Sequence, residues 1–171
     1  MHPPILKTPV LADRDGVWRD EAACADWAAQ LAARPGIRDA CIELHGDLGA
    51  GKTTFTRHLL RALGVAGRIK SPSYAVVEPH EAPGLRAWHF DFYRFSDPRE
   101  WEDAGFREVF AGPGLKIVEW PEQAGGLLPV PDLRLLIDTV DDGSRRLKVQ
   151  ACTPRGVTLL PALPVDEARG G

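Results

Sequence analysis

Cysteine is scarce in this sequence, and its three copies follow no recognisable spacing. Cys24, Cys41 and Cys152 lie far apart, their number is odd, and none belongs to a C-x-x-C pair. This pattern supports neither a disulfide framework nor a zinc site. We therefore expect three ordinary thiols in a reducing compartment.

Long apolar runs and dense positive charge are also missing. No stretch reaches the roughly 18 consecutive apolar residues of a membrane span, and residues 1–4 do not begin a basic segment that leads into an apolar one. The formal net charge is −3 at pH 7, and Lys and Arg form no run of the kind that binds nucleic acids. We expect a soluble, cytoplasmic protein that has no membrane partner and does not itself bind RNA or DNA tightly.

The most informative segment that is present is a glycine-rich loop with the pattern G-x-x-x-x-G-K-[ST]. This pattern is the phosphate-binding loop (P-loop, or Walker A motif) of nucleoside triphosphatases, whose backbone N–H groups surround phosphate oxygens while its lysine reaches the β and γ phosphates. A Rossmann site does not fit, because the glycines have a different order and a Lys-Thr pair follows them. The predicted nucleotide-binding residues of this segment are Gly46, Asp47, Leu48, Gly49, Ala50, Gly51, Lys52, Thr53 and Thr54.

The loop stands between a strand and a helix. Residues 40–44 form a short apolar strand, and Phe55 and Leu59 recur at helical spacing until Gly64, which suits a C-terminal cap. Phosphates in the loop would therefore meet the N-terminus of a helix. An earlier amphipathic helix is predicted between residues 20 and 34.

Strands and helices alternate along the rest of the chain. The full length of 171 residues suits one globular domain. A helix is predicted over residues 98–110, where Asp-Pro is a typical start. We expect a three-layer α/β P-loop NTPase domain over residues 1–160, with a largely parallel central sheet plus antiparallel strands, and a flexible tail over residues 161–171. Further strands are predicted at residues 74–78, 85–91, 115–119, 133–137 and 147–151.

Two carboxylates stand where predicted strands end, namely Asp91 and Glu119. Ligands of such sheets bind beyond the carboxyl ends of the strands, so either carboxylate could serve Mg²⁺ or orient an attacking water. A solvated charge or a helix cap is the alternative for each. Thr53, Asp91 and Glu119 are the predicted metal ligands. Lys52, which we expect to face solvent, joins the two carboxylates as a predicted catalytic residue.

Several other side chains have two interpretations each. Ser73 is either a switch hydroxyl for the γ-phosphate or part of an ordinary Ser-Pro turn. Trp120 is either a core residue or a platform that covers the nucleotide. His89 is interpreted as a hydrogen-bonded structural histidine rather than a metal ligand. Arg145 and Arg146 either decorate a strand or place one guanidinium beside the nucleotide.

Three kinds of protein use this set of residues: an ATP hydrolase that regulates a protein assembly, a small-molecule kinase, and a nucleotide-gated binding module that does not hydrolyse. A kinase usually carries an arginine-rich lid, and the sequence has no such insertion. A guanine preference is disfavoured, since N-K-x-D does not occur. Phosphate release measured with and without partner proteins or small acceptors separates the three.

Four segments together resemble a known family. In order and spacing they are similar to the TsaE (YjeE) family, the small bacterial ATPase of tRNA threonylcarbamoyladenosine biosynthesis, over about residues 20–150. Ser73 stands where the family usually has Thr, and Phe92 stands where Leu is common. The segments are GDLGAGKTTF, SPSY, HFDFYR and EWPE, at residues 46–55, 71–74, 89–94 and 119–122.

The resemblance implies a Mg²⁺-dependent ATPase, weak alone, that acts with TsaD and TsaB to modify adenosine 37 of tRNAs reading codons that begin with A. Contact with tRNA would be indirect, through that complex. Lys52 and Thr53 match the loop lysine and its Mg²⁺-binding hydroxyl. Asp91 matches the acidic residue of the H-x-D-x-Y-R motif that serves the metal, and Glu119 matches the glutamate of the E-W-P motif implicated in metal binding or hydrolysis.

Overall fold

The computed structural model describes residues 9–72, 76–94, 105–124 and 126–161, which form one sheet of seven strands with flanking helices. The strands are β1 (Ala12–Trp18), β2 (Cys41–His45), β3 (Val77–Ala82), β4 (Leu85–Asp91), β5 (Leu115–Glu119), β6 (Leu133–Thr139) and β7 (Arg145–Ala151). The helices are α1 (Glu21–Ala32), α2 (Lys52–Ala62), α3 (Phe106–Ala111) and α4 (Pro154–Leu159), with 3₁₀ turns at Ile37–Asp39 and Pro121–Ala124.

The sheet has a parallel centre and antiparallel sides. Its strand order is β1-β7-β6-β2-β5-β4-β3. The pairs β6–β2, β2–β5 and β5–β4 are parallel, whereas β1–β7, β7–β6 and β4–β3 are antiparallel. Strand β5 is buried along its whole length, as a central parallel strand should be. The predicted α/β fold with a parallel centre is confirmed.

Three aromatic rings hold α1 and α2 against one face of the sheet. Trp18 of β1 stacks on Phe55 of α2 with ring centroids 5.7 Å apart, and Trp27 of α1 lies 5.8 Å from both. All three are essentially inaccessible to solvent, so Phe55→Ala should cost about 3–5 kcal/mol. Helix α1 begins where the Asp20 carboxylate accepts a hydrogen bond from the N–H of Ala23, at 2.9 Å.

A second apolar cluster supports the carboxyl ends of β4 and β5 from the opposite face. Phe90 packs edge-on against Phe106 of α3, with centroids 5.3 Å apart, and the cluster also contains Phe92 and Val118. Side chains alternate between the faces of a strand. Since Phe90 and Phe92 point into this cluster, Asp91 between them points to the face that carries α2.

Several predicted boundaries are wrong. The first hairpin strand runs from Val77 to Ala82 rather than over residues 74–78, and it contains Pro79. That proline is tolerated because β3 is an edge strand, where a missing N–H interrupts no interior ladder. Strand β1 and helix α4 were not predicted.

The helix predicted over residues 98–110 is seen in part. Within the described residues it runs from Phe106 to Ala111 and begins after Gly105, whose φ of 72° is left-handed. Residues 95–104 lie outside the described structure, as do residues 73–75 and 162–171, which hold Ser73 and nearly all of the predicted tail. Within the described segments, no helix has the length and apolar character needed to cross a bilayer.

Candidate functional site

The glycine-rich loop joins β2 to α2 and depends on its glycines. A Cβ at Gly46 would lie 2.6 Å from the carbonyl oxygen of Ile137, so a larger residue would force the loop off the end of β6. Gly51 caps α2 with a φ of 109°, which side-chain-bearing residues rarely adopt. The loop therefore delivers the chain to the N-terminus of α2, whose free backbone N–H groups favour an anion.

Lys52 is buried rather than solvent-facing, contrary to the expectation from sequence. Its Nζ donates to the carbonyl oxygen of Gly46 at 2.5 Å and lies 3.8 Å from the centre of the Trp120 ring. Only 4% of the residue is exposed. Burial lowers the pKa of the Lys52 ammonium, and the nearby Glu119 and Asp91 oppose that shift. The charge is thus held at the loop, within a small site that two carboxylates also share.

Those two carboxylates end neighbouring strands, as predicted. Asp91 and Glu119 are directly paired in the register of β4 and β5. Glu119 is buried, and its Oε1 and Oε2 lie 3.5 and 3.3 Å from the hydroxyl oxygen of Thr53. Asp91 is half-buried, and burial raises its pKa while a hydrogen bond from the N–H of Tyr93 opposes the shift. The structure therefore brings the three predicted metal ligands to one edge of the sheet.

Trp120 lies at the entrance of the site and also packs against the second apolar cluster. It is half-buried, its ring lies over the Lys52 ammonium, and its centroid is 5.0 Å from that of Tyr93. Its φ of 56° is unusual for a large side chain and turns the chain sharply after Glu119. The geometry fits both interpretations of Trp120, because the ring packs on the second cluster and also lies beside the loop.

Arg145 reaches the loop, whereas Arg146 does not belong to the site. The Arg145 Nε donates to the carbonyl oxygen of Ala50 at 2.8 Å, and its Nη1 donates to that of Gly143 at 2.8 Å. Arg146, the next residue of β7, is exposed, and alternation sends it to the other face. Of the two interpretations of this pair, the structure fits the second, with Arg145 beside the loop and the pocket.

These residues surround an open pocket of about 260 Å³. Gly46, Asp47 and Ala50 belong to the loop without lining the pocket, and Ser73 lies outside the described residues. The pocket is lined by Leu48, Gly49, Gly51, Lys52, Thr53, Thr54, Asp91, Tyr93, Glu119, Trp120 and Arg145.

The donor atoms of the pocket fit Mg²⁺ better than a transition metal. Thr53, Asp91 and Glu119 offer only oxygen, which Mg²⁺ prefers. In the part of the chain that the structure describes, no cluster of three or more His, Cys, Asp or Glu side chains is arranged to hold a metal. Mg²⁺ at nucleotide sites takes one or two carboxylates together with phosphate oxygens and water, so a complete protein cage is not needed.

Comparison with known proteins agrees with this geometry. The family model described as "Threonylcarbamoyl adenosine biosynthesis protein TsaE" matches residues 18–147, a span that contains the loop and both carboxylates. The chain belongs to the TsaE family. The role of this family lies in the biosynthesis of threonylcarbamoyladenosine in tRNA.

Individual TsaE proteins are similar over most of their length. The Haemophilus influenzae protein is 41% identical over 71% of this chain and 76% of its own, and the Bacillus subtilis protein is 36% identical over 70% and 72%. The crystal structure of Bacillus subtilis YdiB has a similar fold, with a TM-score of 0.72 and 28% identity over 86% of this chain and 91% of that chain. The TsaE-family chain thus has a P-loop NTPase-like fold.

Proposed function

We propose that this TsaE-family protein is a Mg²⁺-dependent ATPase of the cytoplasm that acts with TsaD and TsaB in modifying adenosine 37 of tRNA. One observation carries the proposal: the Thr53 hydroxyl lies within 3.5 Å of both carboxylate oxygens of Glu119, with Asp91 paired beside it. A phosphate loop that only held a nucleotide would not need two carboxylates at its mouth.

Binding of a triphosphate is supported by the positive groups around the loop. The N-terminus of α2, the Lys52 ammonium and the Arg145 guanidinium all lie at the pocket. The Lys52 ammonium donates a hydrogen bond to the carbonyl oxygen of Gly46. We expect the nucleotide phosphates to replace that oxygen as the acceptor. Exchange of one oxygen partner for another keeps the buried charge paired at each stage.

Thr53 and Asp91 would hold the metal, and Glu119 would orient water. Mg²⁺ held there would supply positive charge that offsets the negative charge developing on the phosphate oxygens. Glu119 is the more buried of the two carboxylates and lies 3.3 Å from the Thr53 hydroxyl, which supports a role beside the terminal phosphate. A carboxylate in that place can accept a hydrogen bond from water and align it for attack.

Partner proteins would provide the contact with tRNA. Its net charge is −3, which does not favour direct binding of a polyanion, so contact with tRNA would pass through TsaD and TsaB. The exposed side chains of Leu48 and Tyr93 lie at the rim of the nucleotide pocket. A partner that covers this rim would lie directly beside the nucleotide and the catalytic residues.

A reconstituted modification reaction tests this function. TsaD, TsaB, tRNA and threonylcarbamoyl-adenylate are incubated with ATP, Mg²⁺ and either wild type, Glu119→Ala or the matched control Glu81→Ala, which removes an exposed glutamate of β3. We expect repeated rounds of transfer with wild type and the control only. Equal yields from all three proteins would contradict the proposal, and transfer of phosphate to an added small acceptor would indicate a kinase instead.

A further inference from the structure

We propose that His89 is a positioning residue, one that fixes the orientation of the Glu119 carboxylate for hydrolysis. The inference rests on the proposed ATPase function and assigns a specific role to a histidine that the sequence indicates only as structural. His89 lies two residues before Asp91 on β4, so both side chains point to the same face of the sheet.

The contact between His89 and Glu119 is short and buried. The His89 Nε2 and the Glu119 Oε2 are 2.5 Å apart, and the exposed fractions of the two side chains are 2% and 4%. A carboxylate can only accept, so the ring nitrogen donates. Hydrogen bonds to a carboxylate that is shielded from water are among the strong ones.

The bond anchors one of the two Glu119 oxygens. Oε2 lies 2.5 Å from the His89 Nε2 and 3.3 Å from the Thr53 hydroxyl oxygen, and Oε1 lies 3.5 Å from that hydroxyl. Through Glu119, which lines the pocket, the His89 bond therefore reaches the candidate site. A glutamate without this anchor can rotate about three side-chain bonds, and its terminal torsion is broad. His89 is not among the residues that line the pocket, so it would act through a neighbouring pocket residue, and Glu119 is the pocket residue to which it is hydrogen-bonded.

A purely structural role gives different expectations. Buried polar side chains need partners, so the pair could exist only to satisfy His89. In that case loss of His89 would lower stability and nucleotide binding together. If His89 positions Glu119, its loss lowers turnover and leaves nucleotide binding unchanged, and an amide donor of similar reach restores turnover.

The experiment compares His89→Ala, His89→Gln and the control His80→Ala, which removes another buried histidine from the neighbouring strand β3. ATP turnover with TsaD and TsaB, the Kd for ATP and the thermal midpoint are measured for each. For His89→Ala we expect kcat to fall about 10- to 100-fold, as for other residues that orient a catalytic group, with Kd within about twofold of wild type. His89→Gln should recover most of the loss, and His80→Ala should keep wild-type kcat.

A double mutant and a spectrum complete the test. In a Glu119→Ala background, His89→Ala should cause no further loss, because its effect passes through the missing carboxylate. In wild-type protein, ¹⁵N NMR of the histidine rings should show a protonated Nε2 on His89, and this arm does not require that a variant folds.

Four results would overturn the inference. These are a His89→Ala kcat within about twofold of wild type, a His89→Gln kcat as low as that of His89→Ala, effects that multiply in the double mutant, and an unprotonated Nε2. If wild type with its partners releases no phosphate, the ATPase proposal itself fails and the role of His89 fails with it. If wild type turns over and only the His89 results are negative, the ATPase proposal stands.

Discussion

The hydroxyl oxygen of Thr53 lies 3.3 Å from Oε2 of Glu119, although 66 positions of sequence separate the two residues. Parallel pairing of β2 with β5 produces this contact, because it brings the end of β5 beside the loop that follows β2. One site therefore combines the phosphate loop with the acidic edge of the sheet.

Thr53→Ala should remove the part of ATP affinity that depends on Mg²⁺. We expect the Kd for ATP in Mg²⁺ to rise at least about tenfold, roughly 1.4 kcal/mol, because the substitution deletes an oxygen ligand. Calorimetric titration with ATP, once in Mg²⁺ and once in EDTA, measures this Kd. Thr53→Ser is the matched control and should bind as wild type, since it keeps the hydroxyl. An unchanged Kd for Thr53→Ala in Mg²⁺ would remove Thr53 from the metal site.

Arg145→Ala should weaken ATP binding by about tenfold, because Arg145 holds the carbonyl of Ala50 and lines the pocket. Arg146→Ala, one residue further along β7, is the matched control and should leave the Kd unchanged. Fluorescent nucleotide titrations of both variants give the comparison. Equal effects of the two substitutions would mean that general positive charge, and not the Arg145 contact, favours the nucleotide.

The thiols should be unreactive in the folded protein. Burial raises the pKa of Cys24 to about 12, and it also raises the pKa values of Cys41 and Cys152. At pH 8 the thiolate, which is the reactive form, is then rare at each position. Alkylation followed by mass spectrometry should label all three cysteines rapidly in urea and slowly without it. Cys24 and Cys152 are buried and Cys41 is half-buried. Rapid labelling of any of them in native protein would contradict the raised thiol pKa values.

The elements at the centre of the sheet could be predicted because their signals are local. β2, the loop and α2 follow one another as an apolar run, glycines and helical spacing. Later in the chain, β5 is another apolar run and has the predicted bounds Leu115–Glu119. Strand β1 gives a weaker signal, since it is an edge strand whose sequence ADRDGVW contains three consecutive charged residues and a glycine. Helix α4 is short and contains both Pro and Gly, so propensity alone does not indicate it.

The candidate site likewise contains features that could be predicted from the sequence and features that could not. Asp91 and Glu119 could be placed because each ends a strand, and strand ends meet at one edge. The buried position of Lys52 could not be predicted, because it depends on contact with Trp120. β5 brings Trp120 beside the loop only in the folded sheet. The contact between His89 and Glu119 likewise depends on the register of β4 with β5.

The most direct test of the ATPase site is phosphate release by wild type and Glu119→Gln in the presence of TsaD, TsaB and ATP, with Mg²⁺ or with EDTA. Glutamine keeps the size of the side chain and removes its negative charge, and Glu81→Gln provides the exposed control. We predict Mg²⁺-dependent release by wild type and by the control, and release about 100-fold slower from Glu119→Gln. Release that is equal in all three proteins, or that persists in EDTA, would contradict a catalytic site formed by the loop and Glu119.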